Sequence, residues 1–149
     1  MGYQSSKTYG HDVGLSCCFR QWKAESHCHF LHGYALKVHL EFVCDELDER
    51  NWVMDFGGLK QVKEWLQSVF DHKTLVDKHD PLISSLRELH QAGVIDMIIV
   101  DQVGCEAFAK MVYDYVKMWL LHIHGTRVRL LRAEVHEHGA NSASYGEGQ

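Results

Sequence analysis

Proline is nearly missing from this chain: Pro81 is the only one in 149 residues. That excludes a polyproline segment and a stiff Pro-rich linker. Long apolar runs are missing too, and none approaches the ~20 residues of a membrane-spanning helix. The opening MGYQSSKTYG lacks the apolar centre of a secretory signal. Positive charge is in deficit, with 15 Lys and Arg against 20 Asp and Glu for a net −5. A chain of that balance has no general electrostatic attraction for nucleic acid. The 5 cysteines are an odd number at spacings that suggest no disulfide framework. These absences point to a cytoplasmic location, free thiols, no nucleic-acid partner and no membrane partner.

Histidine is what the chain has in quantity: 12 residues, two of them flanking Cys28. Imidazole and thiolate are the main ligands of zinc-type metals. A composition of 46% hydrophobic and 23% charged residues is ordinary for a folded protein. The length suits a single domain over 1–149, with its core at about 13–145. The first thirteen residues and the Ser/Gly-rich end after Tyr145 read as frayed termini.

Periodicity outlines the elements between. Residues 14–20 suit a short strand. In 35–43, Leu36, Val38, Leu40 and Phe42 alternate with Lys37, His39 and Glu41, as in a half-buried antiparallel strand. Residues 58–69 carry an apolar helical stripe of Leu59, Val62, Leu66 and Val69. Asp80-Pro81 reads as a helix start, with Asp80 as the cap. The long stretch from Thr74 to Asp101 reads as an added helix leading to a buried strand at 95–100. Residues 105–121 make the longest helix. A last strand covers 126–137, and its apolar phase switches between Leu130 and Leu131, as at a bulge. Strands and helices segregated in this order indicate an α+β fold.

Three groups of residues have chemical potential. The segment Ser26-His27-Cys28-His29-Phe30-Leu31-His32-Gly33-Tyr34 packs several metal-capable side chains into one loop, with Cys17 and Cys18 on the strand before it. Strand pairing would bring those thiols towards His32, so a metal site is expected there. Asp71-His72 is an imidazole beside a carboxylate that can set its tautomer. Glu137 closes the last strand before Gly139, where a carboxylate could accept two N–H groups of a heterocycle.

Taken in order, Cys-x-x-x-His-Gly at Cys28 to Gly33, the block Trp52 to Lys60, Asp-His-x-x-Leu at Asp71 to Leu75, and Glu137 eight residues before Tyr145 resemble the 6-pyruvoyl/6-carboxy-tetrahydropterin synthase family. The resemblance implies a tunnelling fold, or T-fold: an antiparallel sheet with helices on one face. Subunits of such proteins pool their sheets into an oligomeric barrel, here a homohexamer built as a dimer of trimers, with active sites between subunits. It also implies a zinc-dependent lyase of queuosine (7-deazaguanine) biosynthesis. The enzyme would convert 7,8-dihydroneopterin triphosphate to 6-carboxy-5,6,7,8-tetrahydropterin, acetaldehyde and triphosphate. Two alternatives are a 6-pyruvoyltetrahydropterin synthase and a non-catalytic pterin- or metal-binding paralogue. By position, Cys28 would be the catalytic thiol, Asp71 and His72 the second acid/base pair, and Glu137 the anchor of the pterin ring. Arg20, Lys23, Arg127 and Arg129 are candidates for the triphosphate.

One block departs from the family pattern. A Phe-x-Ala-Ala-His strand and a His-Gly-His motif hold the metal in that family. Here they read Leu15-Ser16-Cys17-Cys18-Phe19 and His32-Gly33-Tyr34, so only His32 is kept by position. The expectation is a rewired site for Zn2+, or another divalent transition metal, on Cys17, His27 and His32. His29, His138 and Cys18 are the substitutes. Cys105, in the segment Val103-Gly104-Cys105-Glu106, reads as a buried small residue.

Overall fold

A computed structural model describes residues 2–148. Ten elements follow one another: β1 (Tyr3–Tyr9), β2 (Leu15–Phe19), β3 (His32–Cys44), α1 (Lys60–Phe70), β4 (Lys73–Asp77), α2 (Ile83–Gln91), β5 (Met97–Val100), α3 (Cys105–His124), β6 (Arg129–His138) and β7 (Asn141–Gly146). They build an α+β fold in which helices cover one face of a sheet ordered β5-β4-β2-β3-β6-β7, with β1 also paired to β3.

β3 is the spine. Its first half pairs antiparallel with β2 and its second half with β1, while β6 runs along its other side. The alternation read in the sequence decides its faces. Leu36, Val38, Leu40 and Phe42 are fully buried under the helices. Lys37, His39 and Glu41 turn to the helix-free side, where Glu41 pairs with Arg132 of β6 at 2.6 Å. The bulge expected at Leu130/Leu131 is present: Glu41 faces Arg132 and Phe42 faces Leu130, which leaves Leu131 without a partner.

α1 and α3 supply the cover. Val62, Leu66 and Phe70 of α1 and Phe108, Val112 and Val116 of α3 are completely buried. The two helices meet where Trp65 stacks on Tyr115, with ring centroids 4.0 Å apart, and where Trp119 Nε1 donates to Gln61 Oε1 at 2.9 Å. Burying large side chains of this kind stabilises by roughly 1.5–3 kcal/mol each before chain entropy is counted.

The structure corrects the sequence reading at three strands. The first residues are not frayed: Tyr3 to Tyr9 pair with Cys44 to Val38. Residues 141–146 pair with β6 as β7. Residues 73–77 form β4, which runs parallel to both β2 and β5, so the sheet is mixed and not wholly antiparallel. The added helix is present as α2. Its cap residue is Leu82, which makes no side-chain cap hydrogen bond, and not Asp80 as the sequence suggests; Asp80 stands two residues earlier and accepts Leu82 N–H through Oδ1 at 2.9 Å. Among the described residues no helix is long and apolar enough to cross a membrane.

Candidate active site

Cys28 lies in a single 3-10 turn, His27–His29, that buries none of its side chains. Local hydrogen bonds shape it. Ser26 caps it, accepting from Cys28 N–H at 3.4 Å, and His29 Nδ1 donates back to Ser26 O at 2.6 Å. The chain then enters β3 at His32. His32 Nδ1 donates to Phe30 O at 2.7 Å, which fixes the proton on Nδ1 and leaves Nε2 free.

Three groups stand beyond this turn: Tyr34, Cys105 and Glu137. Burial raises the Tyr34 phenol above its usual pKa, and the charges of Glu137, Cys28 and Cys105 add to the shift. Tyr34 therefore stays protonated through the neutral range and is a hydrogen-bond donor. Cys105 is the first residue of α3 and is buried. Burial pushes its thiol up to about 12, with Glu137 beside it adding to the effect. The sequence reading of Cys105 as a buried small residue is right about burial but misses that contact. Glu137 sits where the β6–β7 register slips between His136 and His138. Its side chain reaches Cys105 at the start of α3, whose N-terminal end favours a carboxylate.

Asp71 and His72 make a second centre. His72 Nδ1 donates to Asp71 Oδ1 at 2.6 Å, and His72 N–H donates to Ser16 O at 2.6 Å. The residue adopts φ 59°, unusual for a histidine, and its side chain is 85% exposed. The carboxylate sets the tautomer and leaves Nε2 pointing to solvent. Ser16 lies near the start of β2 and the Cys28 turn follows its end, so the strand separates them by ~10 Å. One chain thus presents the Asp71-His72 pair away from the Cys28 cluster.

The expected metal ligands do not come together. Among the described residues no group of three or more His, Cys, Asp or Glu side chains could hold a metal ion. The register shows why. Phe19, not Cys17, faces His32 across the β2–β3 pair, and Cys17 faces Tyr34. The Phe19 ring lies 5.2 Å from His32 and 6.0 Å from Tyr34, and Tyr34 meets His32 edge-on at 5.4 Å. Three rings fill the corner where the resemblance implies three imidazoles. Cys17 is buried and its thiol is pushed up to about 12 by burial and by Cys18. His27 is exposed on the turn. The set Cys17, His27 and His32 therefore does not fit a zinc ion, and His29, His138 and Cys18 complete no such set either. Purified protein is expected to carry well under one zinc per chain. The Phe19→His/Tyr34→His variant, which restores three imidazoles around this corner, is expected to raise the content towards one, as read by elemental mass spectrometry.

Three of the basic candidates for the triphosphate are already engaged. Arg20 pairs with Asp80, Arg127 donates to the carbonyls of Glu46 and Val53, and Arg129 bonds Glu147. Lys23 lies over the Trp22 ring, 5.0 Å from its centroid.

A profile described as 6-pyruvoyl tetrahydropterin synthase matches residues 11–148. The chain belongs to the 6-pyruvoyl tetrahydropterin synthase family. Among members of related sequence, the 6-carboxy-5,6,7,8-tetrahydropterin synthase of Aquifex aeolicus is 29% identical over 130 residues, covering 78% of this chain and 80% of that protein. A protein of the same name from Rickettsia felis is 32% identical over 57 residues, 38% of this chain and 41% of its own. The fold is shared with solved structures of lower identity. An uncharacterized protein of Wolinella succinogenes, WS1659, superposes with a TM-score of 0.82 at 20% identity, covering 99% of both chains. The 6-pyruvoyl tetrahydropterin synthase of Plasmodium vivax superposes with a TM-score of 0.68 at 14% identity, covering 96% of this chain and 97% of that one.

Proposed function

We propose that this member of the synthase family is a lyase of the 6-carboxy branch, with Cys28, Tyr34 and Glu137 on one side of the substrate and Asp71-His72 on the other. The reaction converts 7,8-dihydroneopterin triphosphate and water to 6-carboxy-5,6,7,8-tetrahydropterin, acetaldehyde and triphosphate. The contact of Glu137 with Cys105, and a Tyr34 phenol that feels Glu137, Cys28 and Cys105, carry this reading. The Aquifex and Rickettsia relatives named for that product support it.

Each residue has a role suited to its surroundings. The Glu137 carboxylate accepts two N–H groups from the aminopyrimidinone edge of the pterin, which orients the side chain to be cleaved. Cys28, acting as its thiolate, takes up a proton from the hydroxylated side chain and becomes the thiol. Tyr34 O–H donates to the oxygen on which negative charge develops. His72, with Nδ1 committed to Asp71, moves the other proton through Nε2. No step is assigned to a metal.

Separation of His72 from the Cys28 turn supports an oligomer in which a neighbouring copy completes each site. A homohexamer is the proposed assembly. β1 and β7 are available for that pairing, since each has a second long edge free in the sheet. Mixing inactive Cys28→Ala and His72→Ala proteins after subunit exchange is expected to restore turnover, because mixed sites contain one intact half from each. No recovery from exchanged oligomers would place both groups in one chain's site.

Incubation with 7,8-dihydroneopterin triphosphate tests the activity itself. Acetaldehyde and a product of the mass of 6-carboxytetrahydropterin are expected. A product of 6-pyruvoyl mass would indicate the other branch. The aromatic corner at Phe19, His32 and Tyr34 favours one further reading, a pterin binder without turnover. Tight pterin binding with no acetaldehyde would establish it.

A further inference from the structure

The Cys28 turn is an exposed excursion between two strands. It buries no side chain of its own, so apolar packing does not hold it in place. Its outside ties run instead to two adjacent residues at the end of β2. Gln21 N–H donates to Cys28 O at 3.0 Å, and Arg20 Nη1 donates to His29 O at 3.0 Å. The two carbonyls that follow the Cys28 α-carbon are thus fixed from Gln21 and Arg20.

Arg20 is itself fixed. Its Nε and Nη2 donate to the two oxygens of Asp80 at 2.7 and 2.8 Å, a bidentate fork in which the Asp80 side chain is 1% exposed. Asp80 also accepts Leu82 N–H at the start of α2, and its own N–H donates to Asp77 O at 2.9 Å. Gln21 Nε2 reaches Val103 O at 3.0 Å, just ahead of α3. Gly104, at φ +113°, permits that approach, since a Cβ there would collide with Gln21 Nε2. The stretch containing α2 thereby gains a mechanical link to the reactive turn.

We propose that the buried Arg20–Asp80 pair is the positioning device for Cys28: Asp80, anchored at the head of α2, aims the Arg20 guanidinium so that its third donor holds the His29 carbonyl and with it the thiol. This rests on the proposed role of Cys28 in turnover. The pair touches no substrate and acts through the turn. Lysine cannot do the same, because one ammonium cannot span both Asp80 oxygens and the carbonyl in fixed geometry.

The test uses full-length protein and two readouts. One is the rate of Cys28 alkylation by iodoacetamide at a fixed pH, followed by peptide mass with the Cys18 peptide as internal reference. The other is kcat and KM for the triphosphate substrate. Asp80→Asn alone leaves a buried unpaired cation and can unfold the chain. The Arg20→Met/Asp80→Leu variant removes both charges and keeps the volume apolar. In that variant Cys28 is expected to alkylate severalfold faster relative to Cys18. kcat is expected to fall by about 100-fold, as for a displaced reactive group, with KM changed by no more than about twofold. Arg20→Lys is expected to resemble the double variant; if Arg20→Lys behaves as wild type, charge alone suffices and the positioning role is wrong. Unchanged relative alkylation and unchanged kcat in the folded double variant would also overturn it. If the wild-type protein releases no acetaldehyde, the proposed function fails, while the alkylation comparison still decides whether the pair holds the turn.

Discussion

Cys28→Ala lowers acetaldehyde release by about 10²- to 10⁴-fold, the range that a positioned proton-transfer group contributes, while pterin binding stays close to wild type. The substitution removes the thiol and little else. Both ties that hold the turn use carbonyls of Cys28 and His29, which alanine retains. The Glu137 anchor lies on β6 and is untouched. Glu137→Gln should behave in the opposite way. An amide presents one acceptor and a donor where two N–H groups arrive, so binding weakens by roughly 10- to 100-fold before any loss in the chemical step. Steady-state assay of acetaldehyde together with a fluorescence titration of pterin separates the two effects. Loss of pterin binding in Cys28→Ala would move that residue from proton transfer to substrate anchoring.

Asp80→Ala destabilises the fold by about 3–5 kcal/mol, the cost of stripping one partner from a buried ion pair. The guanidinium of Arg20, 15% exposed, then faces no counter-charge, and Leu82 N–H loses its acceptor. The guanidinium-chloride midpoint should fall with an unchanged slope if only stability changes. A pH series gives a second signature. The hydrogen bond from Arg20, joined by Leu82 N–H and opposed by burial, holds the Asp80 carboxyl below the usual carboxylate range. Its contribution is therefore complete above the unfolded value near ~3.9 and is lost as pH falls through the lower folded value. Asp80→Ala should lack that part of the acid-side loss, so the two proteins converge in stability at low pH. Parallel curves would show that Asp80 contributes through packing and not through charge.

Elements with a buried face were legible in the sequence. β3, α1 and α3 bury regular stripes, and periodicity marks them. β1 and β7 escaped because YQSSKTY and NSASYG carry almost no apolar alternation. Their backbones are recruited by β3 and β6, a tertiary effect with little local signal. β4 escaped because KTLVD was read as the entry to the helical stretch from Thr74 to Asp101. At the site, Asp71 beside His72 was readable from adjacency, and the structure adds their hydrogen bond. The metal set failed on register. Strand pairing was expected to bring Cys17 towards His32, whereas the register puts Phe19 opposite His32 and Cys17 opposite Tyr34. Asp80 read as the helix cap, a place the structure gives to Leu82, and its partner 60 residues away was not readable. Nor was the neighbourhood of Glu137 and Cys105, which depends on how the end of β6 meets the start of α3.

The Cys28 turn is located by main-chain atoms, and main-chain atoms are common to every amino acid. The address of the thiol is therefore nearly independent of the letters around it. His27 is exposed, whereas His29 bonds the Ser26 carbonyl and packs on the Phe30 ring. Other side chains can occupy 27 without relocating the sulfur, so that position is free to acquire new surface chemistry beside a fixed reactive point. The restricted positions lie outside the turn, at Arg20 and Gln21 a few residues before it and at Asp80 far along the chain.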